Sequence, residues 1–228
     1  MDSVRVLSTL ALKGAAGRLA GQYQAAGGAR IDADFAPTLA LLDRLRAGEP
    51  ADVVILTREG LEELAAEGQV ASESCVELAR SYVGIAVRAG SSRPDITSET
   101  ALRKALLAAR AVAYSQAGAS GIYFAKLIER MGIAADVNAR AVVTQGFTAE
   151  RLISGEADLA VQQISELKQI AGVDIVGPIP LELQTAAVFS AGRMASTTKV
   201  AQADRLLKFL ASPEVVPVLR ETGLVPAI

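Results

Sequence analysis

Short apolar strands that alternate with helical segments constrain the fold of this chain more than any other sequence feature. The first three strands are β-branched and apolar on both faces, as strands buried in a parallel sheet are, and they span residues 4–8, 31–35 and 52–56. A helical pattern follows each one, over residues 12–23, 38–47 and 59–67. Three strand–helix units in a row predict right-handed crossovers and a parallel sheet.

The same alternation resumes in the middle of the chain. Strands are expected at residues 111–114, 141–144, 157–161 and 173–176, with helices at 120–131, 148–154 and 165–170. Two longer strands, residues 82–88 and 185–190, bracket this block, and helices at 198–211 and 213–222 end the chain.

This order predicts an α/β protein with two lobes. The first lobe would hold residues 1–81 plus 185–228 and the second residues 82–184, with a ligand cleft between them. Each lobe would be a mostly parallel sheet flanked by helices, and two crossing strands would join them. A single doubly wound sheet is the alternative.

Composition excludes several classes of function. The 228 residues carry 23 basic and 25 acidic side chains, mixed along the chain, so no strong field attracts nucleic acid. The sequence has no uncharged apolar stretch of about 18 residues, so direct membrane insertion is not expected. Histidine is absent and Cys75 is the single cysteine, which excludes Ser-His-Asp and Cys-His catalysis, and we expect neither a metal nor a cofactor. Cys75 itself is expected to be a buried small apolar residue.

Ligands of open parallel sheets bind beyond the carboxyl ends of the strands, where loops meet helix N-termini. Hydroxyl, amide and glycine residues at these places are the candidate ligand-binding residues. In the first lobe they are Ser8, Thr9, Thr38 and Thr57, and in the second Ser115, Ser120, Gly121, Gln145, Gln162 and Gln163.

Several of these small polar residues also fit helix N-caps. Thr38, Ser120, Thr148 and Ser165 would each accept a hydrogen bond from the start of their own helices. Helix N-termini that converge on one cleft would instead form an anion site. Both interpretations remain open from the sequence.

The loop at residues 115–121 (SQAGASG) brings two glycines and small side chains to the start of a helix, which favours close approach of backbone N–H groups to a ligand. It matches neither a Walker A loop nor a GxGxxG fingerprint, so nucleotide binding is not indicated. Gln162 and Gln163 are adjacent on a strand, so at most one of them would face the cleft. Arg58 and Arg88 are candidates to pair a carboxylate.

Five segments resemble, in order, motifs of the molybdate-type solute-binding proteins of ABC transporters, also called class II periplasmic binding proteins. They are residues 6–13 (VLSTLALK), 35–40 (FAPTLA), 46–53 (RAGEPADV), 119–123 (ASGIY) and 154–160 (SGEADLA). The resemblance implies a two-lobed fold with Ser8 and Thr38 as oxyanion contacts and Thr9 close by. In the second lobe it implies contacts from the backbone of Ser120 and Gly121 and near Gln162 and Gln163.

Two positions depart from the molybdate pattern. Gln162 and Gln163 stand where a tyrosine is usual, and Pro37 and Thr38 stand where Ser-Gly is usual. Both differences favour a larger, partly planar di- or tricarboxylate over molybdate. The chain also resembles aconitate isomerases, which are built on the same scaffold.

The sequence therefore predicts a solute-binding protein with a small anionic ligand and an ABC permease as partner. Catalysis is the alternative: an isomerase of an unsaturated tricarboxylate would need a base, and without histidine this would be a carboxylate, a lysine such as Lys13, or a tyrosine. No carboxylate stands out in the candidate loops, and Tyr114 and Tyr123 are candidates to contribute phenols to the site. A ligand-sensing domain of a transcription regulator is a third possibility. The expected location is the periplasm if an export signal has been removed and the cytoplasm otherwise.

Overall fold

The computed structural model describes residues 3–228, and these divide into two compact units. The first unit holds the described residues through Ser81 together with Ala187–Ile228, and the second holds Tyr82–Ala186. Residues 1 and 2, which we assigned to the first lobe, lie outside the described residues. Each unit contains its own sheet, so the alternative of a single doubly wound sheet is wrong.

The strands of the described residues are β1 (Ser3–Thr9), β2 (Arg30–Ala36), β3 (Val53–Thr57), β4 (Val76–Ser81), β5 (Val83–Arg88), β6 (Val112–Tyr114), β7 (Ala141–Val143), β8 (Leu159–Gln163), β9 (Val173–Pro178), β10 (Ala187–Arg193) and β11 (Val225–Pro226). The α-helices are α1 (Lys13–Ala25), α2 (Thr38–Arg46), α3 (Arg58–Ala66), α4 (Glu99–Ala108), α5 (Ala119–Arg130), α6 (Ala134–Asn138), α7 (Glu150–Ile153), α8 (Ile164–Leu167), α9 (Val200–Leu210) and α10 (Val216–Glu221). Single turns of 3-10 helix occur at Leu10–Leu12, Ser72–Ser74, Leu181–Leu183 and Pro213–Val215.

The sheet of the first unit has the strand order β11-β4-β10-β3-β1-β2. β1 pairs in parallel with β2 and β3, whereas β10 pairs antiparallel with β3 and β4. Val4 and Val6 of β1 pack with α1, α9 and α10 on one face, while Leu7 packs with α2 and α3 on the other. Burial on both faces explains why these strands are apolar at successive positions.

The sheet of the second unit has the order β7-β6-β8-β5-β9. β6 pairs in parallel with β7 and β8, and β5 pairs antiparallel with β8 and β9. Val161 packs with α4 and α5 on one face, and Ala160 packs with α7 and α8 on the other. The predicted α/β class is confirmed. Among the described strands, β10 and β11 of the first sheet run opposite to the other four, and in the second sheet only β5 runs opposite to the rest.

Some elements differ from the sequence prediction. Residues 82–88, predicted as a crossing strand, form β5 of the second sheet from Val83 onward, and the strand predicted at 185–190 is β10 of the first sheet. The sequence analysis missed β4, which carries Glu77 and Arg80, the two-residue β11, and helices α4 and α6. The sequence does carry a signal for α4, because serine is a preferred N-cap residue and Ser98 stands just before the helix. In the structure its side chain accepts a hydrogen bond from the Ala101 backbone nitrogen at 3.2 Å.

Candidate ligand-binding site

The parallel strands β6, β7 and β8 end at the same edge of the second sheet. Ala113 of β6 pairs with Ala160 of β8, so Ser115 and Gln162, each two residues further on, lie at the same level. The Thr144 backbone nitrogen, just after β7, donates to the Tyr114 carbonyl oxygen at 3.2 Å. The loops that follow the three strands therefore start side by side.

Gln162 connects the end of β8 to the loop after β7. Its side chain is 2% exposed, and its amide oxygen accepts hydrogen bonds from the Thr148 backbone nitrogen at 2.8 Å and the Thr148 hydroxyl at 3.0 Å. Its amide nitrogen donates to the Gly146 carbonyl oxygen at 3.2 Å. These bonds fix which way the Gln162 amide points, so its orientation is set before any ligand arrives.

Glu166 is a candidate functional residue that the sequence analysis missed. It lies in α8, is 8% exposed, and its carboxyl group accepts hydrogen bonds from the Gln162 side chain and the Gln163 backbone. Burial raises the pKa of Glu166 to about 8, and the two hydrogen bonds offset only part of this effect. An acidic residue in the first turn of a helix is ordinarily solvated, so sequence alone did not distinguish it.

Gln163 lies on the other face of the sheet. Val161 packs into the cluster with α4 and α5, so Gln163, two residues later, is directed to that face, while Gln162 shares the face of Ala160. Gln163 is 1% exposed and pairs with Val83 of β5. The two glutamines therefore cannot act as one contact surface.

The loop at residues 115–121 closes on itself. Ser115 Oγ accepts hydrogen bonds from the backbone nitrogens of Ala117 and Gly118, both at 3.3 Å. A Cβ atom at Gly121 would lie 1.2 Å from the Ser115 carbonyl oxygen, so position 121 admits only glycine in this backbone. Ser120 is buried in the first turn of α5. Close packing of Gly121 on Ser115 thus shapes the loop.

Gln145 lies apart from these contacts. It occupies the bend between β7 and α7, and its side chain is exposed. Its neighbour Gly146 donates from the backbone to the Thr144 hydroxyl at 3.3 Å. Among the described hydrogen bonds, none joins the Gln145 side chain to Gln162, so the structure does not bring this predicted residue into the cluster.

In the first unit, Ser8 and Thr9 differ in their surroundings. Ser8 is 1% exposed, lines an apolar cavity of about 50 Å³ beside Leu12 and Leu206, and donates its hydroxyl to the Thr9 carbonyl oxygen at 3.2 Å. Thr9 is 3% exposed, and its hydroxyl has no hydrogen-bond partner in the described part of the chain. A buried polar group without a partner is costly, so Thr9 is the stronger ligand candidate.

Thr38 and Thr57 come together around Gly60. Thr57 caps α3 by accepting a hydrogen bond from the Gly60 backbone nitrogen at 3.3 Å. A Cβ atom at Gly60 would lie 3.3 Å from Thr57 Oγ1 and 3.4 Å from Thr38 Cγ2. Both threonines are buried, and Thr57 already uses its hydroxyl within the unit.

The predicted N-caps are wrong at four positions. Thr38, Ser120, Thr148 and Ser165 do not occupy the cap position of α2, α5, α7 or α8, where Pro37, Gly118, Ala149 and Gln163 stand without a side-chain cap bond. The Thr148 hydroxyl bonds Gln162 instead. A side chain with a stronger tertiary partner does not serve its own helix, and the sequence does not show that partner.

Three further residues do not support the ligand site. Arg88 is exposed at the end of β5, and because β5 is antiparallel to β8, it lies at the edge opposite Gln162. Arg58 pairs with Glu77 at 3.2 Å on the surface. Cys75, expected to be buried, is exposed, and the pKa of its thiol is raised by partial burial and by nearby glutamates.

Residues 3–228 contain neither a candidate metal site nor a candidate membrane-spanning helix. No group of three or more His, Cys, Asp or Glu side chains is placed to hold a metal ion. No described helix combines the length and apolar character needed to cross a membrane. The candidate residues are therefore hydroxyl, amide and carboxyl groups at the carboxyl ends of parallel strands.

Residues 4–225 match the family model described as bacterial extracellular solute-binding protein. The sequence is 36% identical, over 99% of this chain and 88% of the relative, to an aconitate isomerase from a Pseudomonas species. Two solved structures show the same fold at lower identity.

The periplasmic molybdate-binding protein of Azotobacter vinelandii superposes with a TM-score of 0.82 at 20% identity, covering 97% of this chain and 98% of that one. The sulfate-binding protein SubI of Mycobacterium tuberculosis H37Rv superposes with a TM-score of 0.80 at 14% identity, covering 100% and 88%. These likenesses confirm the predicted fold of class II periplasmic binding proteins and the resemblance to the molybdate-type family.

Proposed function

Because the chain belongs to the bacterial extracellular solute-binding protein family, we propose that it binds a small organic anion, with a di- or tricarboxylate preferred over molybdate. The observation that carries this proposal is the buried polar cluster of Gln162, Thr148 and Glu166 at the carboxyl edge of the second sheet. This is the edge at which open α/β sheets bind ligands.

The chemistry of the cluster favours an organic carboxylate. Burial raises the pKa of Glu166 to about 8 and so favours its uncharged form, which repels an anion less than a permanently charged carboxylate would. A neutral carboxyl and neutral amides recognise an anion by hydrogen bonds of fixed direction. The 36% identical relative, by its name, acts on aconitate, an unsaturated tricarboxylate.

In this proposal the protein works outside the cytoplasm and delivers its ligand to an ABC permease. Support comes from the family, whose name describes extracellular solute-binding proteins. The predicted contacts of Ser8, Thr9, Thr38 and Thr57 with the same ligand stay a prediction, to be tested by substitution in the first unit.

A thermal-shift series tests the ligand class. The compounds are cis-aconitate, trans-aconitate, tricarballylate, succinate, sulfate and molybdate. A ligand at 100-fold its Kd adds about 2.7 kcal/mol to the free energy of unfolding, so the correct class raises Tm clearly. We expect the tricarboxylates to raise Tm and the two tetrahedral oxyanions to leave it unchanged. A shift with molybdate or sulfate alone would contradict the proposal.

Isomerisation of an unsaturated tricarboxylate is the second candidate function. It is favoured by the identity to aconitate isomerase and by a buried carboxyl group among the candidate ligand residues. Moving the double bond requires a group that accepts a proton from carbon, and the sequence analysis found no such carboxylate. A proton NMR time course of trans-aconitate with the protein distinguishes a binder, which leaves the spectrum unchanged, from an isomerase.

A further inference from the structure

We propose that Glu166 is the proton-transfer group of this isomerase, accepting a proton from one carbon of the ligand and returning it to another. The inference rests on the second candidate function. It adds a named residue and its role to that function.

The position of Glu166 is set by the end of β8. α8 begins directly after Gln163, and the Ile164 backbone nitrogen donates to the Tyr82 carbonyl oxygen at 2.9 Å. A Cβ atom at Gly84 of β5 would meet Ile164 Cγ1 at 2.7 Å, so glycine at this position lets α8 lie close against the sheet. The short helix therefore holds Glu166 at the edge where β6, β7 and β8 end.

The hydrogen bonds of Glu166 leave part of its carboxylate available to accept a proton from a ligand. Its carboxyl group accepts from the Gln162 side chain and from the Gln163 backbone. Gln162 is itself held by Thr148 and Gly146, so the donor cannot rotate away. A carboxylate has about four lone-pair directions, and two remain for a ligand proton.

The described strands that pack against α8 bring no charged side chain to the edge where Glu166 lies. Of the strands that pack against α8, β8 has none, β5 has Arg88 and β9 has Asp174, and both of these lie at the opposite edge of the sheet. Lys168, just after α8, is exposed. Within residues 3–228, no cation contributes to the shifted pKa of Glu166. With a pKa of about 8, the carboxylate that accepts a proton is the minor form at neutral pH and becomes the major form above about pH 8.

Tyr114 and Tyr123 are already engaged in hydrogen bonds. The Tyr114 hydroxyl donates to Asn138 Oδ1 at 2.7 Å, and the Tyr123 hydroxyl donates to the Leu183 carbonyl oxygen at 3.0 Å. Burial raises the pKa of Tyr123 further. Glu166 is the buried carboxyl group among the described residues of the polar cluster.

The step balances without a cofactor. A C–H bond of the methylene group next to the double bond breaks, and the proton passes to a carboxylate oxygen of Glu166. The electron pair spreads over the allylic carbons and the attached carboxylates. The same proton then forms a C–H bond at the other allylic carbon, the double bond moves by one position, and Glu166 returns to its carboxylate form.

Three variants of the full chain test the role. Glu166→Gln keeps the shape and removes the base, Glu166→Asp keeps a carboxyl group, and Glu150→Gln is a matched control on an exposed carboxylate of the same unit. Isomerisation of trans-aconitate is followed by proton NMR, and ligand affinity by calorimetry. We expect Glu166→Gln to lower kcat at least about 100-fold with its Kd unchanged, and Glu150→Gln to match the parent.

The pH profile separates proton transfer from a structural role. For the parent, kcat/KM should rise with pH and level off above about pH 8, the pKa of Glu166. Glu166→Asp should keep a pH-dependent rise at a lower rate. If Glu166→Gln does not fold, the parent profile decides: a rise that levels off near pH 8 supports the proposal, and a flat profile overturns it.

The outcomes also separate this inference from the function on which it rests. A folded Glu166→Gln variant that isomerises at the parent rate overturns the role of Glu166 and leaves the isomerase candidate standing. A parent protein that binds trans-aconitate and leaves it unchanged overturns the isomerase candidate and this role together, while carboxylate binding stands.

Discussion

The Gln162 side-chain oxygen lies 2.8 Å from the Thr148 backbone nitrogen and 3.0 Å from the Thr148 hydroxyl, and it accepts a hydrogen bond from each. Thr148 is fully buried. The Gln162 side chain, at the end of β8, thus gives the Thr148 backbone nitrogen, in the loop after β7, its hydrogen-bond acceptor. This link holds the loop in place and leaves the Gln162 amide nitrogen directed toward Gly146 and Glu166.

The hydrogen bonds between Gln162 and Thr148 predict how much stability is lost when the Gln162 amide is removed. Gln162→Leu keeps the volume but leaves the Thr148 backbone nitrogen and the Gly146 carbonyl oxygen without their partner, while the Thr148 hydroxyl keeps only the Val161 carbonyl oxygen at 3.4 Å. The free energy of unfolding should therefore fall by about 3 kcal/mol. Gln116→Leu, on an exposed residue of the same unit, should stay within about 0.5 kcal/mol of the parent. Urea denaturation measures both, and equal stability of the two variants would show that the link contributes little.

Gly121 supplies a second stability prediction. Gly121→Ala places a methyl group 1.2 Å from the Ser115 carbonyl oxygen, so the backbone must move and the free energy of unfolding should fall by about 3 kcal/mol or more. Gly21→Ala, in α1 with nothing within 4 Å of the added Cβ, should gain about 0.5–1 kcal/mol. Thermal unfolding of the two variants should move Tm in opposite directions.

Thr9 tests the predicted ligand contact of the first unit. Thr9→Val removes a buried hydroxyl without a partner, so ligand-free stability should rise by about 1 kcal/mol, while affinity for the carboxylate should fall about tenfold or more, the effect of losing a hydrogen bond to a charged group. Ser190→Ala is the control, because the Ser190 hydroxyl is equally buried and unpartnered in the same sheet. If Thr9→Val binds the carboxylate with the affinity of the parent, Thr9 is not part of the site.

Glu166 makes a prediction for stability against pH. Its pKa is about 8 in the native protein and 4.5 for an ordinary solvated glutamate, so between these pH values the unfolded state binds fewer protons than the native state. Stability from this group is therefore fully present below about pH 4.5 and declines up to about pH 8, by at most about 1.4 kcal/mol per pH unit. Glu166→Gln should flatten this part of the curve.

The carboxyl groups whose pKa is lowered affect stability in a different pH range, on the acid side. Ion pairing with Arg44 lowers the pKa of Asp34 and Glu49, so their contribution is present above their unfolded values and is lost as the pH falls toward the acid range. Urea denaturation at several pH values separates the two effects. A Glu166→Gln curve that parallels the parent from pH 5 to 8 would show that the pKa of Glu166 is not raised.

Part of the fold follows from the sequence because burial leaves a local pattern. β3 is apolar at every position except its last, and every residue in it is buried, so it was predicted within one residue. β4 was missed because Glu77 and Arg80 break its apolar pattern on the face exposed to solvent. Periodicity identifies buried strands well and half-exposed strands less well.

The candidate site was predictable only in part. The carboxyl ends of the strands located Ser115 and Gln162, since strand order and direction follow from local pattern and crossover rules. The network that links Gln162 to Thr148 and buries Glu166 depends on tertiary packing between segments that are up to 18 residues apart, from Thr148 to Glu166. One sequence does not reveal which polar residues packing will bury.

A heteronuclear NMR titration with trans-aconitate tests the location of the site most directly. At saturation, the backbone amide signals of residues 115–121, 144–148 and 162–166 should shift, while those of residues 88–93, at the opposite edge of the second sheet, should not. Saturable binding with shifts confined to residues outside these three loops, or no binding of any tricarboxylate, would contradict a carboxylate site at the carboxyl edge of this sheet.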